Sequence, residues 1–467
     1  MAYCPSWKDN MRDLIRRKII DALAEPIPEF TRRDVHIPAI ADKAIAVIGM
    51  RRAGKTTLLW QILQDRLTHG TQREGLLYFG FEDERLAGMT VADLGLIVEE
   101  YYQLHPEWRD GRRPVFFLDE IQTVPGWEAF ARRLLETEKI DLFLSGSSAR
   151  LLSREVATSM RGRAMEALVH PFSFREYLRY FGREPERPAE QLAKAARSAI
   201  EKDLRTYLAC GGFPESLGGA ARDRFELLRG YVDTTLLRDV IERHAVSNPV
   251  ALRWMVRHLL ANPAGAFSVN KFHGDLHSQN IAVAKDTLHA YLGHLEDAFL
   301  IRTVSMSSGS ERQRMVNPRK SYPIDMGLIP VFDPTGRANL GHSLETAVLL
   351  ELERRGAQIS YLRTAKGFEV DFLVRYPEGG EELIQVCADL DAPATRERET
   401  RALLAARIER PGAALRLISL ASEGPRDLPR GIVWQHASEW LLSERNELTV
   451  GEPRRRSRKR STPDDVS

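Results

Sequence analysis

Short apolar runs alternate with helix-like spacings along the first third of the chain. Continuous apolar runs at 44–48 and 115–118 suit strands buried on both faces, and further strands are predicted at 76–86 and 140–152. From Leu58 onward, apolar residues recur with helical spacing. Strands separated by helices predict a parallel sheet with helices on both faces, which is an α/β fold.

The middle of the chain has the periodicity of helices. Apolar residues recur at i, i+3 and i+4 across 224–244, 249–262 and 282–301, and a polar stretch typical of a β-wing follows at 302–322. This order predicts a winged-helix-like unit with a candidate recognition helix at about 285–296. That helix is poor in the Arg, Asn and Gln side chains that read DNA bases. The basic residues of the wing are Arg302, Arg312, Arg314, Arg319 and Lys320.

The last third combines a hairpin with helices. Apolar runs at 370–374 and 383–387 flank a Gly379-Gly380 turn, which predicts two antiparallel strands. An amphipathic helix precedes them at 342–356. Further helices and strands follow, so a second α/β domain is predicted to end near Asn446.

Composition sets the broad class of the protein. A chain of 467 residues with 43% hydrophobic and 28% charged residues should fold into several soluble domains. The net charge of +2 gives no general affinity for nucleic acid, but the block at 454–460 is basic and lacks apolar residues. We predict that this tail is disordered, with phosphate contact as the alternative. Three scattered cysteines argue against a disulfide framework, and no run approaches 18 apolar residues, so a cytoplasmic protein is expected.

The strongest chemical signal is a phosphate-binding loop between the first strand and its helix. It has the pattern Gly-x-x-x-x-Gly-Lys-Thr, in which glycines let backbone N–H groups face phosphate oxygens. The lysine would reach the outer phosphates, and the threonine would offer its hydroxyl to Mg²⁺. The predicted nucleotide-binding residues are Gly49, Met50, Arg51, Arg52, Ala53, Gly54, Lys55, Thr56 and Thr57.

Two acids end the strand at 115–118 and supply the second half of a nucleotide site. Asp119 is predicted to hold Mg²⁺ with Thr56, and Glu120 is placed to polarise an attacking water. This arrangement predicts hydrolysis as well as binding. If the strand at 140–152 neighbours the Asp119 strand, Ser147 or Ser148 would lie beside the γ-phosphate; alternatively, these serines cap the next helix.

Several stretches together resemble a bacterial and archaeal family of AAA-type P-loop ATPases related to STAND-class signalling ATPases. The stretches are GMRRAGKTT, FFLDEIQ, LFLSGSSARLLS, MRGRAMEALVHPFSFREYL, YLACGGFPES, YPIDMGL, and EVDFLV with LIQVC. The resemblance implies an ATPase core that uses ATP and Mg²⁺. It also implies a winged-helix-like middle and a C-terminal restriction-endonuclease-like domain of unknown function. In such ATPases the winged helix often acts as an internal lever, and a DNA reader is the alternative.

The resemblance carries over four further site residues. Arg161 and Arg163 match the family's arginine-containing turn, and an arginine from this subunit or a neighbour would stabilise transition-state charge. A surface arginine paired with a glutamate is the alternative. Gly212 and Pro214 match a Gly-x-Pro turn in which the proline packs on adenine, the alternative being an ordinary interdomain turn.

The resemblance also describes the C-terminal hairpin. Glu345 and Asp371 match two acids of the nuclease fold, but the Glu-x-Lys position reads Gln385-Val386-Cys387. Glutamine is a weak neutral ligand, cysteine carries no fixed positive charge, and the nearby Lys366 precedes the first strand. The domain is therefore predicted to be catalytically inactive, the alternative being that a lysine from elsewhere in the chain substitutes. Alternatively, the two acids are plain surface residues.

These predictions combine into a division of the chain and a function. The units are an N-terminal helical lead-in (1–40), an ATPase core (41–178), a helical winged-helix-like domain (179–330), a nuclease-like domain (331–446) and a basic tail (447–467). We predict an Mg²⁺-dependent ATP hydrolase that moves its C-terminal half. The alternatives are an ATP-driven DNA nuclease and an ATP-gated DNA-binding regulator. DNA, another protein or further copies of the chain are the candidate partners, and no membrane is expected.

Overall fold

A parallel sheet forms the centre of the N-terminal half. The computed structural model describes residues 7–109, 111–146, 160, 162–188, 191–310, 317–333 and 339–443. The strands of this sheet are β1 (Ala44–Ile48), β2 (Leu76–Gly80), β3 (Val115–Asp119), β4 (Asp141–Gly146) and β5 (Ala164–Leu168). Their spatial order is β2-β3-β4-β1-β5, and all neighbouring pairs are parallel. The predicted α/β class and parallel-sheet core are confirmed.

Helices cover both faces of this sheet, make up most of the middle of the chain and complete the C-terminal unit. They are α1 (Trp7–Ala24), α2 (Lys55–Thr68), α3 (Leu94–Leu104), α4 (Trp127–Thr137), α5 (Phe174–Tyr180), α6 (Lys194–Cys210), α7 (Ala221–Thr235), α8 (Pro249–Ala261), α9 (Val269–Ser278), α10 (Lys285–Asp297), α11 (Ile329–Phe332), α12 (Leu340–Arg354), α13 (Pro393–Glu409) and α14 (Ala437–Leu442). A π-helical turn, Leu236–Glu242, continues α7.

The sheet brings the chemistry of distant segments to one edge. Every residue of β1 and β3 is buried, because both are internal strands covered on two faces. Helix α1 adds Met11, Ile15 and Ile19 to the same core and packs against β2 and α3. Since the strands are parallel, the segments that follow β1, β3 and β4 all emerge at the same edge.

A small sheet joins the middle of the chain to its end. Its strands are β6 (Ala266–Phe267), β7 (Ile301–Val304) and β8 (Arg319–Pro323), in the antiparallel order β6-β8-β7. The elements run α8, β6, α9, α10, β7 and β8 along the chain. The predicted candidate recognition helix corresponds to α10, and the predicted wing to β7 and β8 with the chain between them.

The C-terminal unit is built on a separate mixed sheet. Its strands are β9 (Gln358–Arg363), β10 (Glu369–Arg375), β11 (Glu381–Cys387), β12 (Ala414–Ser419) and β13 (Ile432–His436), in the order β13-β12-β11-β10-β9. The pairs β9–β10 and β10–β11 are antiparallel, whereas β11–β12 and β12–β13 are parallel. The predicted hairpin is confirmed, with Phe372 opposite Ile384. Helices α12 and α13 pack against β11.

Candidate functional site

The phosphate loop connects β1 to α2, and its two glycines are required by their surroundings. Gly49 has φ +152°, and a Cβ there would lie 2.2 Å from the carbonyl oxygen of Val169. Gly54 has φ +98° and directly precedes α2. Both conformations are rare for residues with a side chain. The sequence therefore builds a tight turn at the N-terminus of a helix.

A buried arginine holds this loop from behind. Arg33 donates from Nη1 to the carbonyl oxygen of Ala53 over 2.7 Å and from Nε to Glu176 Oε1 over 3.0 Å. Glu176 is fixed in turn by its place in a capping box with Ser173 at the start of α5. Sequence reasoning missed Arg33, because the sequence around it does not distinguish it from the adjacent Arg32. Arg32 is exposed and pairs with Asp65.

Lys55 lies at the bottom of the loop and faces the second acid of β3. Its side chain is only 5% exposed, and Nζ lies 3.3 Å from the Met50 carbonyl oxygen and 3.5 Å from Glu120 Oε1. A buried lysine within reach of a carboxylate and a helix N-terminus is well placed for a multiply charged anion. Met50 and Ala53 are fully buried, whereas Arg52 is exposed and lies 3.4 Å from Glu215.

Asp119 ends β3 and receives hydroxyl donors from three elements. Thr56 Oγ1 donates to Asp119 Oδ2 over 2.8 Å, Tyr78 donates to the same oxygen over 2.7 Å, and Ser145 donates to Oδ1. Burial and the Asp119 charge raise the pKa of Tyr78, so its hydroxyl remains a donor. Sequence reasoning missed Tyr78 and Ser145. Strand β4 does neighbour β3, which was the condition for placing Ser147 or Ser148 beside the γ-phosphate.

The oxygens of Thr56 and Asp119 suit a magnesium ion. A hydroxyl and a carboxylate 2.8 Å apart are ligands of the kind that Mg²⁺ prefers. Within the described parts of the chain, no group of three or more His, Cys, Asp or Glu side chains is arranged to hold a metal. An ion here would therefore take its other ligands from water and from phosphate oxygens, as Mg²⁺ does in nucleotide sites.

Glu120 has an unusual backbone conformation that turns its carboxylate toward the loop. Its φ is 56° and ψ is 39°, in the left-handed region that residues other than glycine rarely adopt. The backbone N–H of Glu120 donates to Ser145 Oγ over 2.8 Å. Its carboxylate accepts a hydrogen bond from Gln122. Ser145 thus contacts both acids and fixes their relative position.

A cleft of about 700 Å³ opens between the phosphate loop and α7. One side is lined by loop residues, including Arg51, Thr56 and Thr57, and by Glu120. The opposite side is lined by Pro214, Glu215, Leu227 and Tyr231, among others. The Tyr231 hydroxyl donates to Glu215 Oε2 over 2.6 Å. The cleft thus has the phosphate loop at one end and, opposite it, a wall on which apolar side chains alternate with the carboxylates Glu215 and Glu226.

The structure separates the two residues of the predicted Gly-x-Pro turn. Pro214 lines the cleft. Gly212 instead faces the interior, where its N–H donates to Asp325 Oδ2 over 2.7 Å and an added Cβ would lie 2.3 Å from the Phe172 carbonyl oxygen. Close packing explains Gly212 without any nucleotide contact.

Of the predicted arginines and serines, Arg163 lies within the described residues. Arg163 directly precedes β5, at the edge of the sheet opposite the phosphate loop, and its Nη1 lies 2.7 Å from Glu136 Oε1. It therefore does not contact the site of its own subunit, and a role for it would require a neighbouring subunit. Arg161, Ser147 and Ser148 lie outside the described residues, as do Arg312, Arg314 and the basic tail.

A second cluster of charges joins the small middle sheet to the C-terminal unit. Lys320 on β8, 5% exposed, places Nζ 3.0 Å from Asp371 Oδ1 and 3.3 Å from Glu345 Oε1. A lysine from elsewhere in the chain, which the sequence left open, therefore does reach these acids, and it comes from the small middle sheet and not from the hairpin. Glu345 also accepts from the Tyr322 hydroxyl over 2.8 Å. Both acid side chains are thus only 12% exposed and paired with Lys320, so neither is a plain surface residue.

Gln385 and Cys387 occupy the Glu-x-Lys position, and both side chains have partners in the structure. Gln385 Nε2 donates to Glu399 Oε2 over 2.6 Å, and the Cys387 thiol contacts the carbonyl oxygen of Asp389 over 3.0 Å. Burial, followed by the nearby Asp371 charge, raises the pKa of Glu345. The cluster therefore combines one buried lysine with several carboxylates, of which Glu345 and Asp371 are largely buried.

Comparison with known proteins gives relatives and domain matches. A family model described as an AAA domain matches residues 41–178, and a model of a domain of unknown function, DUF8612, matches 201–336. The uncharacterized protein MJ1544 of Methanocaldococcus jannaschii is 33% identical over 376 residues, which cover 79% of this chain and 80% of that protein. An uncharacterized protein of Haemophilus influenzae is 27% identical over 348 residues, covering 74% and 82%.

A solved structure also matches a large part of this chain. The Walker-type ATPase PABY2304 of Pyrococcus abyssi superposes with a TM-score of 0.41 at 15% identity, covering 69% of this chain and 95% of that one.

None of the helices in the described residues is long and apolar enough to cross a bilayer.

Proposed function

Because this chain belongs to the family of AAA-domain P-loop ATPases, we propose that it hydrolyses ATP with Mg²⁺ and uses the nucleotide state to move its C-terminal half. The observation that carries the proposal is the meeting of two separate segments at one sheet edge. Lys55 and Thr56 begin α2, whereas Asp119 and Glu120 lie at the end of β3, yet Thr56 Oγ1 lies 2.8 Å from Asp119 Oδ2 and Lys55 Nζ lies 3.5 Å from Glu120 Oε1. A site that only bound phosphate would not need Glu120.

Each of these residues has a separate task in the proposed reaction. Lys55 contacts the outer phosphates and neutralises charge that grows in the transition state. Glu120 accepts the proton of the attacking water, and its contact with Gln122 orients the carboxylate. Thr56 and Asp119 would hold Mg²⁺, which when bound neutralises the β- and γ-phosphates. The short distances between these groups hold them in the fixed arrangement that phosphoryl transfer requires.

The wall formed by α7 is proposed to receive the base. Pro214, Leu227 and Tyr231 offer apolar surface opposite the phosphate loop. The turn that carries Pro214 also carries Gly212, whose N–H is bound by the buried Asp325. Asp325 Oδ1 accepts in addition from the Gly327 N–H over 2.9 Å, in the segment that leads to the C-terminal unit. This chain of contacts supports the proposed coupling of nucleotide state to the C-terminal half.

The middle and C-terminal units are proposed as the moving parts. The element order α8, β6, α9, α10, β7, β8 supports a winged-helix-like unit within the proposed 179–330 domain. The mixed sheet with Asp371 and helix α12 with Glu345 support a restriction-endonuclease-like domain at 331–446, and we propose that it is inactive. Lys320 lies between the two acids, where a nuclease would hold its metal. We keep 1–40, 41–178 and 447–467 as the other proposed units.

Ser145→Ala is expected to slow ATP turnover by roughly 10–100-fold without unfolding the chain, as is usual when a partner that orients site residues is lost. The substitution removes a hydroxyl that contacts both Asp119 and the Glu120 backbone. Initial rates of phosphate release measure the effect, with the exposed Ser278→Ala as a matched control. Equal rates in the two variants would contradict the positioning role of Ser145.

Phosphate release from ATP also tests the proposed function, measured with Mg²⁺ and with EDTA. We expect release with Mg²⁺ only. Adding duplex or single-stranded DNA separates the alternatives. Stimulated turnover would show that the C-terminal half engages nucleic acid, and Mg²⁺-dependent DNA cutting lost in Asp371→Ala would show a nuclease. Tight, salt-sensitive DNA binding without turnover would favour the ATP-gated regulator.

A further inference from the structure

One side chain of the phosphate loop is held by the middle of the chain. Arg51 donates from Nε to Asp239 Oδ2 over 2.8 Å and from Nη2 to Oδ1 over 3.2 Å. The Asp239 side chain is 4% exposed and the Arg51 side chain is 30% exposed. Two parallel hydrogen bonds to a buried carboxylate fix the plane of the guanidinium. The contact spans 188 residues of sequence, so no local pattern indicates it.

The partner of Arg51 lies in an unusual part of its helix. Asp239 belongs to the π-helical turn Leu236–Glu242 that continues α7. Such turns are rare, and they occur frequently at functional sites. Helix α7 lines the cleft through Leu227 and Tyr231, opposite the phosphate loop. The Arg51–Asp239 pair therefore links the phosphate end of the cleft to the helix that forms its other wall.

Nucleotide phosphates and the Asp239 carboxylate compete for the same donor. Arg51 lines the cleft together with Lys55 and Thr56, and its Nη1 lies 3.5 Å from Glu82 Oε1 at the cleft rim. Guanidinium groups bind carboxylates and phosphates with the same forked geometry. A triphosphate brings one more anionic group to this end of the cleft than a diphosphate does. It should therefore draw Arg51 away from Asp239 more strongly.

We propose that Arg51 reads the nucleotide state by exchanging Asp239 for the outermost phosphate of ATP. With ATP bound, Arg51 turns to the phosphate, and the π-helical turn loses the ion pair that holds it. After hydrolysis and phosphate release, the pair forms again and draws the turn back. Asp239 is a positioning residue in this scheme. The inference rests on the proposed nucleotide site, and it names the contact through which that site moves the middle of the chain.

Hydrogen–deuterium exchange of residues 236–242 tests this exchange of partners. The full-length chain is measured with ADP and with a non-hydrolysable ATP analogue, as wild type, Asp239→Asn and Arg51→Gln. We expect about tenfold faster amide exchange with the analogue than with ADP in the wild type, within the usual range of coupling between sites. Both variants should lose this difference. Asp233→Asn is the matched control and should keep it, because this exposed acid of α7 lies 3.7 Å from Arg253.

Equilibrium binding gives a second readout that a merely structural role would not move. Asp239→Asn removes the competitor, so the affinity for the ATP analogue should rise about tenfold relative to that for ADP. The double variant Arg51→Gln, Asp239→Asn should show the same nucleotide preference as Arg51→Gln alone, because in this scheme Asp239 changes the nucleotide preference by holding Arg51. An additional shift in the double variant would contradict this.

Different results would overturn the proposed role of Arg51 and the proposed nucleotide site. A wild-type chain that binds and hydrolyses ATP, yet exchanges equally in both nucleotides, overturns the role of Arg51 and leaves the proposed function intact. An unchanged ratio of affinities in Asp239→Asn does the same. Nucleotide binding that Lys55→Ala leaves unaffected overturns the proposed nucleotide site itself.

Discussion

Replacing Glu120 with glutamine is expected to lower the ATP turnover rate by about 10²–10⁴-fold, the usual contribution of a general base. The amide keeps the shape of the side chain and can still contact Gln122, but it cannot accept the proton of the attacking water. Asp119, Thr56 and Lys55 are unchanged, so nucleotide affinity should remain. The combination of intact binding with lost turnover is specific to the base.

The measurement is phosphate release at saturating ATP, together with equilibrium binding of a labelled ATP analogue. Glu74→Gln is the matched control, because this exposed acid precedes β2 at the sheet edge opposite the site. A Glu120→Gln variant that turns over ATP at the wild-type rate would remove Glu120 from the mechanism. Loss of binding together with turnover would instead indicate that the left-handed turn at Glu120 had collapsed.

Lys320→Ala is expected to destabilise the C-terminal unit by roughly 3–5 kcal/mol, as when one partner of a buried ion pair is removed. Lys320 Nζ lies about equally close to Asp371, Glu345 and Glu369, at 3.0, 3.3 and 3.0 Å. Without it, the two buried acids must either remain unpaired or take up protons. Hydrogen exchange of the amides of β10 reports the opening free energy of this unit directly.

The pH dependence of this variant has a definite sign. Burial and Asp371 already raise the pKa of Glu345 above the value in the unfolded chain, and loss of the lysine raises it further. A carboxyl with a raised folded-state pKa stabilises the fold at low pH, and this contribution falls as pH rises toward the folded-state pKa. The defect should therefore be larger at pH 8 than at pH 5.5. Lys366→Ala, an exposed lysine before β10, should show neither effect.

Sequence patterns identified the scaffold because its signals are local. The apolar run of β1 and the Gly-Gly turn before β11 each specify structure within about ten residues. The spacing of Lys55 and Thr56, and the acids at the end of β3, are local in the same sense. Parallel pairing then brings these segments to one edge, so the phosphate end of the site could be predicted from the chain alone.

Residues that act across long sequence separations were not predictable. Arg33 binds Glu176 from 143 residues away, and Arg51 binds Asp239 from 188 residues away. Lys320 reaches the C-terminal acids from a strand of another sheet, which the search for a lysine near the hairpin missed. The position of Arg163, which directly precedes β5, depends on the direction of that strand. Because β5 runs parallel to β1, Arg163 lies at the edge of the sheet opposite the phosphate loop. Such contacts follow from topology, which a local pattern does not contain.

ATP turnover by the purified chain, compared between wild type and Lys55→Ala, tests the central claim most directly. Lys55 is the one ammonium placed within the phosphate loop, 3.3 Å from the Met50 carbonyl oxygen and 3.5 Å from Glu120. The account predicts Mg²⁺-dependent phosphate release by the wild type and none above background in the variant. Equal release by both proteins, or no release by the wild type in any Mg²⁺ condition, would contradict an ATPase built on this site.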